Sequence, residues 1–302
     1  MNLTRYMEER RRLVDRTLKT VLPSQEGKPP RVLDKAMRYS LFSGGKRIRP
    51  ILALASAEAL GAPHEPVLPF ACGLEMIHAY SLVHDDLPAM DDDDLRRGKP
   101  TNHVMFGEGM AILAGDGLLT EAFRIMAEGA LANTRKADVG LRALREVATA
   151  AGAIGMVGGQ VLDIAAEKKK PTRAGVEAIH TRKTGAMIRA SVRVGALVGG
   201  ATPRQYERLD QYGTAIGLAF QVTDDILDIE GGTEKTGKRE GRDAELQKAT
   251  YPAAIGMDKT KQLARKLRQE ALSALKPFGA DAEALRQICH LIVDRAVPPE
   301  TG

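Results

Sequence analysis

The stretch "LEMIHAYSLVHDDLPAMDDDDLRRGKP", residues 74–100, runs from apolar positions into six aspartates and then two arginines. Leu74, Ile77, Tyr80 or Ser81, and Leu82 recur at roughly helical spacing, which predicts a helix with one apolar face whose end carries the acids. Pro88 lacks an N–H and disfavours a helical residue before it, so the helix is expected to break near Leu87 and to bulge before Asp91. A bulge there can bring Asp91 back toward Asp85. Carboxylates forced together at the inner end of a buried helix repel and are costly to desolvate unless a cation lies between them. Hard divalent ions suit that place. A solvated acidic loop is the competing reading of the segment taken alone.

A second cluster, "FQVTDDILD" at 220–228, repeats the local pattern. Within "YGTAIGLAFQVTDDILDI" Asp224 and Asp228 are i and i+4, so their side chains share a helix face, an unfavourable spacing for like charges without a bound cation. Two such clusters at apolar helix ends read as two halves of one site. No Gly/Ser-rich or Pro-rich linker divides the 302 residues, so one domain spanning 1–302 is expected. The hydrophobic fraction is 43% with 4% aromatic and no Trp, which leaves core packing to Ala, Leu, Ile, Val and Met. Ala and Leu favour helix. Helical patterns cover roughly 31–43, 50–61, 66–87, 107–131, 139–167, 173–199, 204–229, 258–275 and 281–295, and strand-like alternation is nearly absent. The expected fold class is all-α. Gly155, Gly158 and Gly159 inside one helical stretch suggest close helix contact.

The start, "MNLTRYMEERRRLVDRTL", is charged and lacks the apolar stretch of a secretory signal. The longest uncharged run, Val147 to Leu162, is too short and too rich in Gly and Ala for a membrane span. A soluble, cytoplasmic protein is expected. Cys72 and Cys289 lack the spacing of a disulfide framework or zinc site and read as core residues. Net charge is +5, yet basic and aromatic residues are not interleaved as a nucleic-acid platform requires. A basic balance also suits polyanionic small substrates.

The cations fall beside the acids. In "FSGGKRIRP", residues 42–50, Arg47 stands where a nucleotide phosphate loop needs Ser or Thr. Gly44 and Gly45 still let backbone N–H groups approach an anion, and Lys46 and Arg49 are placed for a phosphate. Arg96 and Arg97 follow the first acidic cluster closely enough to bind an anion whose metal ions the aspartates hold. "HTRKTGA" offers Lys183 and Thr184, and "KTGKREGRDAELQKATYP" offers Lys238 and Lys248 after the second cluster. A diphosphate bound through Mg²⁺ needs carboxylates for the metal and guanidinium groups for oxygens the metal leaves free.

With GGKRIRP at 44–50, HDDLPAMDDDDLRRGKPTNH at 84–103, GGQVLDI at 158–164, KT at 183–184, FQVTDDILD at 220–228, and GK with KATYP at 237–252, the chain resembles the polyprenyl synthetase family over nearly its whole length. Its motif wording is most similar to bacterial farnesyl diphosphate synthases. The resemblance implies an all-α isoprenoid synthase fold, helices around a deep cavity and a homodimer. It implies that Asp85, Asp86 and Asp91, with Asp224, Asp225 and Asp228, hold Mg²⁺ on an allylic diphosphate from two sides. Around that substrate it places Arg96, Lys183, Thr184, Gln221, Lys238 and Lys248. For isopentenyl diphosphate it implies Lys46, Arg49, His78 and Arg97. Lys183, Thr184 and Gln221 would act at the developing cation. Tyr80, with small Ser81 beside it, would set product length as the floor beneath the growing chain, five residues before Asp85; Pro88-Ala89 matches an insertion of enzymes that stop at fifteen carbons.

One departure is the end, "VDRAVPPETG", where many relatives carry a basic tail and this chain has only Arg295 nearby. Three rivals stand beside the farnesyl reading. A geranylgeranyl diphosphate synthase shares nearly every motif. A class I terpene cyclase has no need of Lys46, Arg49 and Arg97 and usually has aromatic walls. A non-catalytic regulatory subunit predicts degraded motif positions, and none is missing.

Overall fold

In this computed structural model residues 1–22, 29–132, 137–167, 169–230 and 248–298 are described. Helix α1 (Leu3–Val21) lies outside the segments that periodicity predicts. Its buried residues, Tyr6, Val14 and Leu18, are widely separated by charge, so the apolar stripe is thin. Those residues still enter the core, and surface contacts add support. Asn2 accepts the Arg5 N–H at 3.0 Å as its N-cap, and Arg5–Glu9 and Arg12–Glu8 pair one turn apart.

Next come α2 (Arg31–Leu41), α3 (Ile48–Glu58) and α4 (Leu68–Asp85). The last is not one-faced as the spacing predicts: from Phe70 to Ile77 every residue is buried. Neighbours on several sides account for this, chiefly α6 (Glu108–Ala132) and α3, with α1 and α2 adding further contact. Between α4 and α6 stand a two-residue antiparallel hairpin (β1, Leu95–Arg96; β2, Lys99–Pro100) and the short α5 (Asn102–Phe106). Arg97 and Gly98 make its turn at φ 54° and 74°.

The predicted helix 139–167 is two helices, α7 (Ala137–Ala151) and α8 (Met156–Ala166), separated by a turn. By length and composition Ala137–Ala166 is apolar enough to cross a membrane, but α7 has 15 residues and α8 11, each short of the ~20 a span needs. The predicted helix 173–199 is α9 (Arg173–His180) and α10 (Ala186–Val198), joined through a π-helical turn at Thr181–Gly185. Helix α11 (Pro203–Glu230) carries the second aspartate cluster, and α12 (Tyr251–Ile255), α13 (Met257–Ala274), a 3₁₀ turn and α14 (Glu283–Val293) complete the described chain.

Two cores result. One joins α2, α4, α6 and α7; the other joins α9, α11, α13 and α14; α1, α3 and α10 contribute to both. Tyr212 on α11, fully buried, donates its hydroxyl to the Leu285 carbonyl at 2.8 Å. The fold is all-α as predicted.

Candidate active site

The first aspartate cluster bulges back as Pro88 predicts. Helix α4 ends at Asp85, and the Asp91 N–H donates to the Asp85 carbonyl at 2.9 Å. Burial, with Asp91 and Asp86 adding to it against the pull of Lys183, pushes the Asp85 carboxyl up to about 6. Asp86 is 3% exposed and is gripped by Arg96, whose Nε lies 2.8 Å from both carboxylate oxygens. Arg96 therefore ties the hairpin to the acids in this structure.

Asp224 and Asp228 share the partly exposed face of α11, with Gln221 one turn before Asp224. Asp224 accepts from Arg295, whose guanidinium stands 5.2 Å from the centroid of the Phe220 ring. The single cation near the chain's end thus meets the second aspartate motif. Asp225 is not brought to this face: it is 3% exposed, and its Oδ2 accepts the Tyr251 N–H at 2.8 Å and lies 2.9 Å from His180 Nε2.

Between the two clusters runs a chain of charges that includes a residue absent from the expected set. Asp163 on α8, 6% exposed, accepts from Lys183 Nζ at 2.6 Å and Lys248 Nζ at 3.4 Å, while Lys248 also reaches Asp91 at 3.0 Å. Burial pushes the Asp163 carboxyl up, and the two ammonium groups more than reverse it, leaving it below the usual carboxylate range. Two backbone features allow the contact. A Cβ on Gly159, one turn before Asp163, would stand 2.2 Å from the Lys183 nitrogen, so only glycine lets α8 approach this closely. The π turn then presents Lys183 and Thr184 to that approach. The signal in sequence was the lone acid in the otherwise uncharged GGQVLDI. Lys238 lies outside the described residues.

The cations near α3 gather at a groove lined by Ser43, Arg47, His78, Asp86, Arg96 and Arg97. Gly45 sits at φ 127°, and a Cβ there would come within 2.8 Å of the Arg97 guanidinium, which donates to the Gly44 carbonyl. Arg49 has a fully buried Nε with no hydrogen-bond partner, and burial pulls its guanidinium below the ordinary arginine value. Burial, then Arg49, Arg97, Arg96 and Arg47, holds His78 well below the usual histidine range. Such a group of guanidinium donors, one of them unpartnered, can hold an anion. Lys46 stands exposed at the same loop.

Among the described residues no three His, Cys, Asp or Glu side chains are gathered closely enough to hold a metal alone. Mg²⁺ commonly takes one or two protein carboxylates and completes its shell with phosphate and water oxygens, and Asp85 and Asp91, joined across the bulge, offer such a pair. The bulge crowds Asp85 and Asp91 together, burial and Asp91 raise the Asp85 carboxyl, and an added hard cation would stabilise such oxygens.

Fold and site together define a helical protein that sets two aspartate clusters beside lysine and arginine groups. The family model described as polyprenyl synthetase matches residues 30–291. The chain is 48% identical over 296 residues to a farnesyl diphosphate synthase of Geobacillus stearothermophilus, covering 98% of each, and 46% identical over 295 residues to a geranylgeranyl diphosphate synthase of Cyanophora paradoxa, covering 97% of each. An apo FPP/GFPP synthase from Zymomonas mobilis superposes with TM-score 0.84 at 38% identity, covering 97% of this chain and 99% of that one. A geranyltransferase from Legionella pneumophila gives 0.85 at 30% identity, covering 97% and 98%. The chain belongs to the polyprenyl synthetase family.

Proposed function

We propose that this chain condenses isopentenyl diphosphate head to tail with dimethylallyl and then geranyl diphosphate, giving farnesyl diphosphate, in a Mg²⁺-dependent prenyl transfer. The observation that carries the reading is the pairing of two sites, one built around aspartates and one where Arg49, His78 and Arg97 gather. A single-substrate cyclase has no use for the unpartnered Arg49 Nε beside His78 and Arg97. Asp85, Asp91, Asp224 and Asp228 are the residues that would hold Mg²⁺ on the allylic diphosphate, and the bound ions would supply positive charge against the departing diphosphate.

The chain's own groups do the rest. Lys183 and Lys248, spaced by Asp163, bind the allylic diphosphate; Arg49, His78, Arg97 and Lys46 hold the isopentenyl diphosphate. The allylic carbon becomes cationic as its C–O bond breaks, the isopentenyl double bond attacks it, and the departing diphosphate takes the proton that is lost. Thr184 and Gln221 direct oxygen dipoles toward the cation, and Arg96 keeps Asp86 in place. Asp163→Asn is expected to lower kcat about tenfold or more, because loosened lysines misalign the leaving group, while the KM for isopentenyl diphosphate stays within about twofold. Steady-state kinetics with each substrate varied checks this, and an unchanged kcat removes the role.

Incubating the purified protein with isopentenyl and dimethylallyl diphosphates plus Mg²⁺, then measuring product length, tests the whole reading. The second reading is a geranylgeranyl product, supported by the Cyanophora paradoxa relative. Tyr80 separates them. Its ring is 7% exposed, meets the His84 ring edge to face at 5.7 Å, and lies about 7.5 Å down α4 from Asp85 at 1.5 Å per residue. Tyr80→Ala is expected to shift the main product from fifteen to twenty or more carbons with ionisation intact. A stable variant that still stops at fifteen refutes the floor.

A homodimer goes with this reading, supported by the exposed apolar residues Val104 and Met105 on α5 and Ile112 and Leu113 on α6. So does a cytoplasmic location, which two free, buried cysteines suit.

A further inference from the structure

Asp225 stands in the second aspartate motif and points elsewhere. Successive helix positions are turned by about 100°, so it cannot share the direction of Asp224, and the i, i+4 pairing belongs to Asp224 and Asp228. Its carboxylate enters the interior, where Oδ2 takes the Tyr251 N–H at 2.8 Å and faces His180 Nε2 at 2.9 Å. His180 is 6% exposed, Tyr251 is fully buried, and their rings lie 5.5 Å apart.

The three residues come from three elements, and each is next to a part of the allylic site. Asp224 precedes Asp225 on α11. His180 is the last residue of α9, directly before the π turn that presents Lys183 and Thr184. Tyr251 opens α12, three residues after Lys248, and its N–H is one that a helix start leaves without a partner in its own helix. One buried oxygen therefore sits where the supports of the aspartates, of Lys183 and of Lys248 meet.

We propose that Asp225 is a positioning residue and not a metal ligand: with His180 it locks the π turn and the start of α12 onto α11, setting Lys183, Thr184 and Lys248 against the diphosphate that Asp224 and Asp228 engage through metal. The proposal rests on the prenyl-transfer reading. A misplaced cationic group costs transition-state alignment more than it costs substrate capture.

The test compares Asp224→Ala, Asp225→Ala, Asp225→Asn, His180→Ala and the His180→Ala/Asp225→Ala pair. Two readouts are taken: steady-state kinetics, and calorimetric binding of inorganic diphosphate as Mg²⁺ is raised. Asp225→Ala is expected to lower kcat by about 10²-fold with the isopentenyl KM nearly unchanged, and to leave the Mg²⁺ midpoint for diphosphate binding within about twofold of wild type. Asp224→Ala is expected to raise that midpoint about tenfold or more. Asp225→Asn, which keeps an acceptor for Tyr251, recovers part of kcat. His180→Ala and the double variant match Asp225→Ala, since residues acting as one unit are not additive. A Mg²⁺ midpoint shifted as far by Asp225→Ala as by Asp224→Ala overturns the proposal, as do additive losses. If Asp225→Ala is unfolded by circular dichroism, Asp225→Asn and His180→Ala decide by the same comparison. Wild-type protein that makes no prenyl product and binds no Mg²⁺–diphosphate removes the underlying reading instead.

Discussion

Asp85→Asn is expected to lower kcat by about 10³-fold, the several kcal/mol that a metal-held leaving group is worth, while making the metal-free protein more stable at pH 8. Burial, reinforced by Asp91 and Asp86, raises the folded-state carboxyl to about 6, against an ordinary value of 3.8. A carboxyl raised on folding favours the native state less as pH rises: the penalty is absent below the unfolded value, grows between about 4 and 6, and is complete above 6. With allowance for screening by water at this partly exposed side chain, it is on the order of 1–2 kcal/mol. Asparagine carries no such penalty. Thermal melts in EDTA should therefore show the variant melting above wild type at pH 8 and level with it at pH 4. A lower melting temperature at pH 8 would mean that Asp85 supports the fold and that its ionised form is not strained.

Arg47→Met is the largest expected loss of stability, about 3–5 kcal/mol, because it leaves a buried carboxylate unpaired. The Arg47 side chain is 3% exposed and holds three partners: Asp15 Oδ1 at 2.9 Å, Glu75 Oε1 at 2.7 Å and the Leu41 carbonyl at 2.7 Å. Glu75 is equally buried and has no water to turn to. Arg47 also holds φ at 52°, in the left-handed region, so its contacts maintain a conformation that its Cβ disfavours. The joined elements are α1, the end of α2, the loop before α3, and α4, and the last three line the groove that holds His78 and Arg97. Urea unfolding measures the loss. Adding Glu75→Met to Arg47→Met should recover much of it, since the stranded charge is the main cost; no recovery would assign the loss to packing.

Much of this was legible in the sequence, for local reasons. Pro88 ended α4, and the bulge it forced is the Asp91-to-Asp85 hydrogen bond. The i, i+4 spacing put Asp224 and Asp228 on one face. Other features depend on contacts that sequence order hides. Helix α1 buries Tyr6, Val14 and Leu18 on one side, but the charged run Glu8 to Arg12 between the first two masks that face in the sequence. The division of 139–167 and the π turn in 173–199 arise where α8 lies against Lys183, an approach that Gly159 permits but does not announce. Asp163 joined the site only through lysines twenty and more residues away. Asp224 and Asp225 are adjacent in the chain and diverge in space, one outward and one into the interior. The GGKRIRP and HDDLPAMDDDDLRR motifs identified the cations, but not that Arg96 would be held by Asp86 or that Arg97 would rest over Gly45.

The π turn at Thr181–Gly185 makes the length of that stretch as constrained as the identity of any side chain in it. A π turn holds about one residue more than an α turn, so deleting a single residue there would let α9 and α10 wind as one regular helix. Because the widened turn takes up its extra residue locally, Ile188 and Val192 would keep their places in the core that they share with α11, and the change would fall on the turn itself, where Lys183 and Thr184 approach α8. A chain shortened by one residue here should therefore still fold, and should lose the approach of Lys183 to Asp163.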